Sequence, residues 1–354
     1  MLEIIFSEKH KILNYSNYKG IKQAISSATN IVLSTHTNPD GDTIGSALGL
    51  YHFLKGSQIN VQIVCPNILP ENLAWMPQSD GIISHETDKA LFQTALNKAD
   101  LIIHIDYNAF HRTGKAVEKL LQELEDVTHI MIDHHPNPSE GFKAYLSDPS
   151  ACSTAQLVYQ FTQYFSPNTL LSKDAADCLY VGLITDTGSF SYGIEDENPY
   201  LIAAALVKAG VDDRLVHEKV YSNNTLNRLK LLGFALSEKL VVNTEEKWAY
   251  VSLSKKELNK YHYQPGDTEG IANYALSING VLAAVLITEK EDVIRLSFRS
   301  KGDFAVNTIA AKHFAGGGHL NAAGGDSLLP MDETIANLKK HMGAYKDELV
   351  KSGS

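Results

Sequence analysis

The stretch His36–Asp42, HTNPDGD, places one imidazole and two carboxylates in a single short loop. The run before it, Ile31–Thr35 (IVLST), is β-rich and bounded by polar residues, which is typical of a buried strand. The pattern after it predicts a helix over 43–56 that ends near Gly56. The loop therefore lies at the carboxyl end of a predicted strand, where open α/β sheets bind ligands.

The same loop also has a structural interpretation. Pro-Asp-Gly-Asp is good turn chemistry, because Pro fixes φ, Asp caps the following helix and Gly41 is expected to let the backbone turn between its two acidic neighbours. A calcium-binding loop counted from Asn38 is excluded, because Thr43 then stands where Gly is required and Gly49 where Glu is required. Taken alone, the loop does not decide between a catalytic site and a plain turn.

Length and charge limit the class of protein. A chain of 354 residues favours two domains, and a hydrophobic content of 44% is sufficient for globular cores. The net charge of −10 argues against a protein that wraps long nucleic acid. A small anionic substrate remains compatible with this charge, because bound divalent metals reverse the sign of a carboxylate-lined site.

The cysteines and apolar runs predict a cytoplasmic protein. Cys65, Cys152 and Cys178 are far apart and lack CxxC spacing, which favours free thiols in a reducing compartment. The apolar run Val281–Thr288 has the length of a buried strand, so no membrane contact is expected. The start of the chain, MLEIIFSEKHK at 1–11, lacks the features of a signal peptide.

Strands and helices alternate along the first half, which predicts a mainly parallel sheet flanked by helices. Predicted strands after the first are Val61–Cys65, Gly81–Ser84, Asp100–Asp106 and Thr128–Asp133, with helices at Asp88–Ala99 and Thr113–Asp126 between them. A helix then starts with Ser153 as N-cap and Gln156 as its capping-box partner, and a longer one ends near Asp186.

The remaining chain predicts a second domain. Residues 1–192 form the first domain, 193–240 read as a helical linker, and 241–345 as a smaller α/β domain. The second domain has strands at KWAYVSL, VLAAVLITE and Asp292–Ser300, then a helix leading into the glycine-rich segment Ala315–Gly325. A last amphipathic helix begins near Asp332.

Acidic and imidazole side chains recur at one edge of the predicted sheet. Each alone is explained as a strand end, a loop or a helix end, but together they fall at the same edge. Carboxylates mixed with imidazoles, without thiolates, suit Mn²⁺ or Mg²⁺, and the histidines favour Mn²⁺. A pair of such ions activates water and promotes in-line displacement at phosphorus. The residues concerned are His36, Asp40, Asp42, Asp106, Asp133, His134, His135 and Asp186.

These motifs resemble the four successive motifs of the DHH phosphoesterase superfamily. They are HTNPDGDTIGS at 36–46, Asp106 followed by RTG at 112–114, DHH at 133–135 and DTGSF at 186–190. GGGH at Gly316–His319, preceded by Arg299 and Ser300, is similar to the C-terminal substrate domain of many members. The arrangement is most similar to the stand-alone nanoRNase and pAp-phosphatase branch, whose members degrade very short oligoribonucleotides and dephosphorylate pAp.

The resemblance implies two divalent metal ions, most readily Mn²⁺, with Mg²⁺ as the alternative. One ion takes His36, Asp40 and Asp106, and the other takes Asp42, Asp106, His134 and Asp186, with Asp106 as the bridge. His135 would contact the scissile phosphate or the leaving group, and Asp133 would orient a histidine. His135, Asp106 and Asp133 are thus the implied catalytic residues, in an active site expected in the interdomain cleft.

The resemblance also implies a nucleotide-binding set in the second domain: Arg299, Ser300, Gly317, Gly318 and His319. Physically, glycines let backbone N–H groups approach an anion, and an arginine grips a phosphate with two hydrogen bonds. A plain glycine-rich turn is the structural alternative. Arg112 is left open between a phosphate contact and a structural role. Lys301, Lys312 and His313 are expected to be solvated surface residues, and Gln156 replaces a Glu that is common in relatives.

We therefore expect a hydrolase that cleaves short oligoribonucleotides and dinucleotides to mononucleotides and converts pAp to AMP. The alternatives are a phosphodiesterase for linear pApA, a pyrophosphatase or exopolyphosphatase, and a nucleotide-binding sensor without turnover. The expected partners are short nucleotides, without long nucleic acid or membrane, and a homodimer is compatible with the sequence.

Overall fold

The computed structural model describes residues 15–55 and 59–352. The chain divides into two compact units between Asn223 and Asn224, which we call the first and the second unit. The predicted helix end near Gly56 and the segment 1–11 lie outside the described residues. Within the described ranges, no helix is both long and apolar enough to cross a lipid bilayer.

The first unit is built on a six-stranded, fully parallel sheet, which confirms the predicted α/β class. Its strands are β1 Asn30–Ser34, β2 Asn60–Cys65, β3 Ile83–Ser84, β4 Leu101–Ile105, β5 Thr128–Asp133 and β6 Ala144–Ser147. They lie in the order β3-β2-β1-β4-β5-β6. Ile31 of β1 pairs with Val61 on one side and Leu101 on the other, so the strand order reverses between β1 and β4. Ligands bind at the carboxyl ends of strands beside such a reversal.

Helices cover both faces of this sheet. Because side chains alternate along a strand, Ile31 and Leu33 pack into one apolar core and Val32 into another. The helices are α1 Tyr15–Ser27, α2 Gly41–Leu54, α3 Lys89–Lys98, α4 Lys115–Gln122, α5 Thr154–Phe165, α6 Lys173–Asp186, α7 Asn198–Lys208 and α8 Asp213–Tyr221. The cores indicate that α1, α2, α5 and α6 cover one face and α3 and α4 the other. Burial on both faces explains why the strands are apolar throughout.

Helices α2 and α6 approach so closely that glycine is required between them. A Cβ on Gly45 would lie 2.4 Å from a backbone carbonyl oxygen of α6, and one on Gly182 would lie 2.8 Å from Oδ1 of Asp42. The sequence predicted Gly41 at a turn of the backbone, but Gly41 is the first residue of α2. A Cβ there would lie 2.5 Å from Thr185. The first turn of α2 therefore packs against the last turn of α6.

The second unit contains a smaller mixed sheet, as predicted. Its strands are β7 Leu240–Asn243, β8 Trp248–Leu253, β9 Ala283–Glu289, β10 Ile294–Ser300, β11 Gly317–His319 and β12 Ala322–Ser327. They lie in the order β11-β12-β10-β9-β8-β7, and only β8 and β9 are parallel. The helices are α9 Leu226–Phe234, continued by a π-turn at Ala235–Lys239, and α10 Lys255–Lys260, α11 Ile271–Leu276, α12 Val306–His313, α13 Met331–Ala344 and α14 Lys346–Lys351. Trp248, Phe298 and Phe304 are fully buried in its core.

The domain boundaries proposed from the sequence stay a prediction, as does the location of the active site. Of the stretch interpreted as a linker, α7 and α8 belong to the first unit and α9 to the second. The three cysteines are free and buried, as expected.

Some elements were missed or misplaced by the sequence patterns. The short strands β6 and β7 lie at sheet edges, and a strand with one neighbour has a weak apolar signal. Residues 317–319 lie in the glycine-rich segment, for which no strand was predicted, but they form the edge strand β11. Ser153 is the predicted N-cap of α5, but the Oε1 of Gln156 accepts the N–H of Cys152, so no reciprocal capping box forms.

Candidate active site

The four sequence motifs of the first unit converge at the carboxyl edge of its sheet. The loop after β1 and the first turn of α2 supply one motif, the residues after β4 and β5 supply two, and the end of α6 supplies the last. Within the first unit, ligand atoms within 4.8 Å of one another form three groups: His36, Asp40 and Asp106; Asp42, His134 and Asp186; Asp106, Asp133 and His135. The first two groups contain every predicted metal ligand.

The first group surrounds Thr43. The Nδ1–H of His36 donates to the carbonyl of Thr37 at 2.8 Å, so its Nε2 faces Asp106 Oδ2 at 3.4 Å. The Thr43 hydroxyl lies 2.6 Å from that Oδ2 and 3.0 Å from Asp40 Oδ1. The single hydroxyl proton of Thr43 donates to one of these oxygens at a time. The hydroxyl therefore orients the carboxylates but leaves their negative charge in place.

In the second group, Asp42 lies at the N-terminus of α5. Its Oδ2 accepts the N–H of Thr154 at 2.7 Å, and its Oδ1 accepts the N–H of Ala155 at 2.9 Å. Helix N-termini stabilise anions through free N–H groups and the helix dipole. Asp42 is 1% exposed, so these two hydrogen bonds fix the orientation of a buried carboxylate.

His134 faces three carboxylates of the site. Its Nδ1–H donates to the carbonyl of Ala151 at 3.1 Å, which directs Nε2 into the cluster. This Nε2 lies 3.2 Å from Asp186 Oδ2, 3.7 Å from Asp106 Oδ1 and 3.9 Å from Asp42 Oδ2. Asp106 therefore contacts the first group through Oδ2 and the second through Oδ1.

Asp133 and His135 form a hydrogen-bonded pair beside Asp106. The Nδ1–H of His135 donates to Asp133 Oδ1 at 2.7 Å, and Asp106 Oδ1 lies 3.8 Å from the same nitrogen. Asp133 is fully buried, and its Oδ2 has no hydrogen-bond partner among the described residues. A buried carboxylate oxygen without a partner is costly, so this corner of the site favours a cation. The sequence had predicted an orienting role for Asp133, and the structure adds its proximity to Asp106.

The acidic groups of the cluster influence one another strongly. Burial and the charges of Asp106, Asp186 and Asp40 raise the pKa of Asp42 well above its ordinary value. Burial raises the pKa of Asp186 to about 6, against the opposing effect of His134. Asp106 differs, because its hydrogen bond to His36 and the nearby imidazoles outweigh burial and hold its pKa well below the ordinary range.

The imidazoles complete the charge pattern. Burial alone would lower the pKa of His36, but its hydrogen bond to Asp106 and the charges of Asp40 and Asp106 raise it on balance. The charges of Asp186 and Asp106 likewise outweigh burial and raise the pKa of His134. The negative charge of the carboxylates thus exceeds the positive charge that the chain supplies at this site. Oxygen and imidazole donors in two adjoining groups therefore fit divalent cations by type and by proximity.

Two threonines of the site were not predicted. Thr43 hydrogen bonds within the first group, and Thr154 donates its hydroxyl to Asp106 Oδ1 at 2.8 Å and its N–H to Asp42. Thr43 directly follows the loop His36–Asp42 and Thr154 directly follows the N-cap Ser153, so both stood next to recognised features. What the sequence did not show is that α5 begins at the same edge as α2.

Arg112 lies beside the first group. Its backbone carbonyl accepts both the N–H and the hydroxyl of Thr37, at 2.9 and 3.0 Å, which ties the turn after β4 to the loop after β1. Its positive charge opposes the rise in the pKa of His36, as expected for a guanidinium near the site. A structural role for its backbone and a phosphate contact for its side chain are therefore compatible.

The predicted nucleotide-binding residues of the second unit lie on β10 and β11. Arg299 is half-buried, and its Nη1 donates to the carbonyl of Phe298 at 2.9 Å. The Ser300 hydroxyl donates to the carbonyl of Phe304 at 2.6 Å and accepts from Asn321 at 2.9 Å, so it orders the turn after β10. These two hydrogen bonds favour a structural role for Ser300.

The glycines of β11 are not equivalent. Gly318 has a φ of +141°, and a Cβ there would lie 2.5 Å from the carbonyl oxygen of Ala322. Gly317 has no atom within 4 Å of its Cβ position. Gly318 is therefore required by the pairing of β11 with β12, whereas Gly317 has space for a side chain among the described residues. His319 ends β11 and is half-buried.

Two family models match the chain. Residues 30–183 match the DHH family, N-terminal domain, and residues 245–344 match the DHHA1 domain. The bifunctional oligoribonuclease and PAP phosphatase NrnA of Bacillus subtilis (strain 168) is 27% identical over 88% of this chain and 93% of its own length. The cyclic-di-AMP phosphodiesterase GdpP of Geobacillus thermodenitrificans (strain NG80-2) is 24% identical over 92% of this chain, and that match spans 49% of the relative.

A solved structure is similar over nearly the whole length. It is the crystal structure of an exopolyphosphatase-related protein from Bacteroides fragilis, with a TM-score of 0.88 and 34% sequence identity over 96% of this chain and 99% of that one. Together with the two domain matches, this likeness confirms the resemblance seen in the motifs. The chain belongs to the DHH phosphoesterase family, with a DHH domain followed by a DHHA1 domain.

Proposed function

We propose that this protein is a two-metal phosphoesterase that hydrolyses short oligoribonucleotides to mononucleotides and converts pAp to AMP. The observation that carries the proposal is the pair of adjoining ligand groups at the carboxyl edge of the first sheet, which share contacts to Asp106. His36, Asp40 and Asp106 would hold one ion, and Asp42, Asp106, His134 and Asp186 the other. Mn²⁺ suits this mixture of imidazole and carboxylate, with Mg²⁺ as the alternative.

The residues of the chain have separate tasks in this proposal. When bound, two divalent cations would activate a water molecule and offset the charge that develops on phosphate oxygens. Asp106 would bridge the two ions, since its two oxygens face different groups. His135 donates its Nδ1–H to Asp133, which fixes the plane of its ring, and would contact a phosphate oxygen or the leaving group. Asp42 is kept in place by the first amides of α5.

The choice of substrate rests on the relatives and on the second unit. The relative from B. subtilis that aligns over 93% of its length is named an oligoribonuclease and PAP phosphatase. In the second unit, Arg299, Gly317, Gly318 and His319 are proposed to bind the nucleotide. A site that neutralises only a few phosphates suits a chain with a net charge of −10.

The test is metal-dependent release of mononucleotides from a labelled di- or trinucleotide, beside release of phosphate from pAp. Turnover of both with Mn²⁺, and loss of turnover with a chelator, is the expected result. Hydrolysis of pyrophosphate without hydrolysis of a dinucleotide would make the protein a pyrophosphatase instead. Binding of dinucleotide without turnover under any metal would make it a sensor.

A phosphodiesterase for linear pApA is the second candidate. It is favoured by the match to a cyclic-di-AMP phosphodiesterase, although the chain spans about half of that relative. Matched values of kcat/KM for pApA, for a dinucleotide of different bases and for pAp separate the two candidates. A preference for pApA over every other dinucleotide by a large factor would support the second.

A further inference from the structure

The segment that follows Asp186 and the start of α7 carry three aromatic rings, of which two are exposed and Phe190 is half-buried. Phe190 stacks on Tyr200, with ring centroids 5.2 Å apart and an angle of 23° between the planes. Tyr200 is 51% exposed and Tyr192 is 50% exposed. We call Phe190, Tyr192 and Tyr200 the aromatic platform. None of the three belongs to the ligand groups of the site.

The backbone that leads into Phe190 has an unusual conformation. Gly188, Ser189 and Phe190 have consecutive φ values of +52°, +55° and +63°. This left-handed region is unfavourable for residues with a side chain, and it persists only where the surrounding structure enforces it. The N–H of Ser189 donates to the carbonyl of Ile184 at 2.7 Å, so the turn folds back on the last turn of α6. Asp186 ends that helix, so the platform starts beside a candidate metal ligand.

Helix α8 holds this turn in place. The Nδ1–H of His217 donates to the carbonyl of Asp213 at 2.7 Å, so its Nε2 accepts the hydroxyl proton of Ser189 at 2.8 Å. The hydroxyl of Tyr221 donates to the carbonyl of Ile184 at 2.7 Å, the same oxygen that accepts the N–H of Ser189. Phe190, which stacks on Tyr200 of α7, is therefore presented by a turn with defined anchors.

The chemistry of the platform indicates its ligand. Exposed ring faces bind planar, apolar groups by stacking, and every nucleobase offers such a face whatever its sequence. A phosphate or polyphosphate gains nothing from stacking and would require basic side chains. Phe190, on which Tyr200 stacks, follows Asp186 by four residues, so the chain connects the platform directly to a site suited to phosphate chemistry.

We propose that the aromatic platform is the subsite for the nucleobase next to the phosphate that is cleaved. This inference rests on the proposed function and deepens it, because it makes a nucleotide, and not a base-free phosphate, the preferred substrate class. Phe190 backs Tyr200 and keeps its ring in a defined plane, and Tyr192 adds a second exposed ring beside Gly188.

The test compares the whole chain with Tyr200→Ala and Tyr200→Phe, using a dinucleotide and its abasic analogue of equal charge. The wild type should bind the dinucleotide with a lower KM than the abasic analogue. Tyr200→Ala should reduce the ratio of the two KM values about tenfold, the effect expected when one base loses a stacking partner. Tyr200→Phe keeps a ring and should keep most of the difference. Tyr145→Ala is the matched control, because Tyr145 is 42% exposed on β6 and outside the platform.

A second readout does not depend on turnover. A non-hydrolysable dinucleotide that contains 2-aminopurine should lose fluorescence on binding to the wild type and to Tyr200→Phe, and keep it with Tyr200→Ala. Equal KM values with and without bases in the wild type, or full quenching by Tyr200→Ala, would overturn the platform. Quenching that depends on Tyr200 in a protein without turnover would retain the platform and refute the proposed function. Thermal melting verifies that each variant is folded.

Discussion

The carboxyl edge of the parallel sheet and the glycine-rich strand β11 offer an anionic substrate two different environments. At the sheet edge, side chains provide the chemistry, and Asp42, Asp106 and Asp133 are buried with their carboxylates fixed by hydrogen bonds. On β11, half-buried residues at a sheet edge leave backbone groups within reach, and Gly317 has an open Cβ position.

The difference explains which region the sequence describes well. Carboxylates and imidazoles at strand ends can be recognised from the sequence. Their common location follows once the strands are placed in one parallel sheet. A binding site made of backbone groups cannot be recognised in this way, because a glycine is equally compatible with a loop, a turn or a close approach. Of the four changes below, three test side chains and packing at the first edge and one tests a side chain of β11.

Asp106→Ala should have the largest effect. Its two oxygens face different ligand groups, so its loss should disrupt both and reduce kcat about a thousandfold or more under every divalent metal. The measurement is Mn²⁺-dependent hydrolysis of a dinucleotide. Glu123→Ala is the control, since Glu123 makes only an exposed ion pair on the same unit and such pairs contribute little. Ordinary turnover by Asp106→Ala would refute the proposed bridge.

The ligand groups could be predicted from the sequence, but what orients them could not. Thr154 and Asp42 meet because α5 starts where α2 starts, and no local pattern encodes a contact across more than a hundred residues. The left-handed φ of +66° at Asp106 is similarly invisible, because Asp is also common in ordinary loops. The parallel sheet was predictable because fully buried strands are apolar throughout, whereas the edge strands β6, β7 and β11 lack that signal.

Gly182→Ala should reduce stability and displace Asp42. A methyl group there would lie 2.8 Å from Asp42 Oδ1 and 2.7 Å from Ala155, so the helices must separate, at a cost of about 1–3 kcal/mol. Chemical denaturation measures the free energy of unfolding. Gly317→Ala in β11 is the comparison, since nothing lies within 4 Å of its Cβ position and stability should change little. Equal destabilisation by both changes would contradict the packing described here.

His319→Ala should act on substrate capture more than on chemistry. His319 lies in the second unit at the end of β11 and is proposed to contact the nucleotide. Losing one hydrogen bond to a charged group should raise the KM for a dinucleotide about tenfold or more and change kcat less. Steady-state kinetics with the dinucleotide and with a small phosphate ester check this expectation. Equal losses on both substrates would place His319 in the chemical step.

The smallest expected effect is on the pH dependence of the metal-free protein. Burial raises the pKa of Asp186 from 3.8 to about 6, so the folded chain retains a proton that the unfolded chain releases. This contribution to stability is therefore full below pH 4 and falls as the pH rises to about 6, after which the ionised carboxylate remains a fixed cost. Asp42 acts in the same direction.

Asp186→Asn removes this titration while keeping the shape of the side chain. Without metal, the variant should melt a few degrees above the wild type at pH 7.5, because one of the crowded carboxylates is gone. With Mn²⁺ the wild type should melt at the higher temperature, because its Asp186 carboxylate binds the ion more tightly than the neutral amide of the variant. Melting curves from pH 5 to 8, with and without Mn²⁺, measure both effects. A wild type that is the more stable protein without metal at pH 7.5 would show that the chain itself compensates the charge of Asp186, and the electrostatic argument for a cation would lose its basis at that residue.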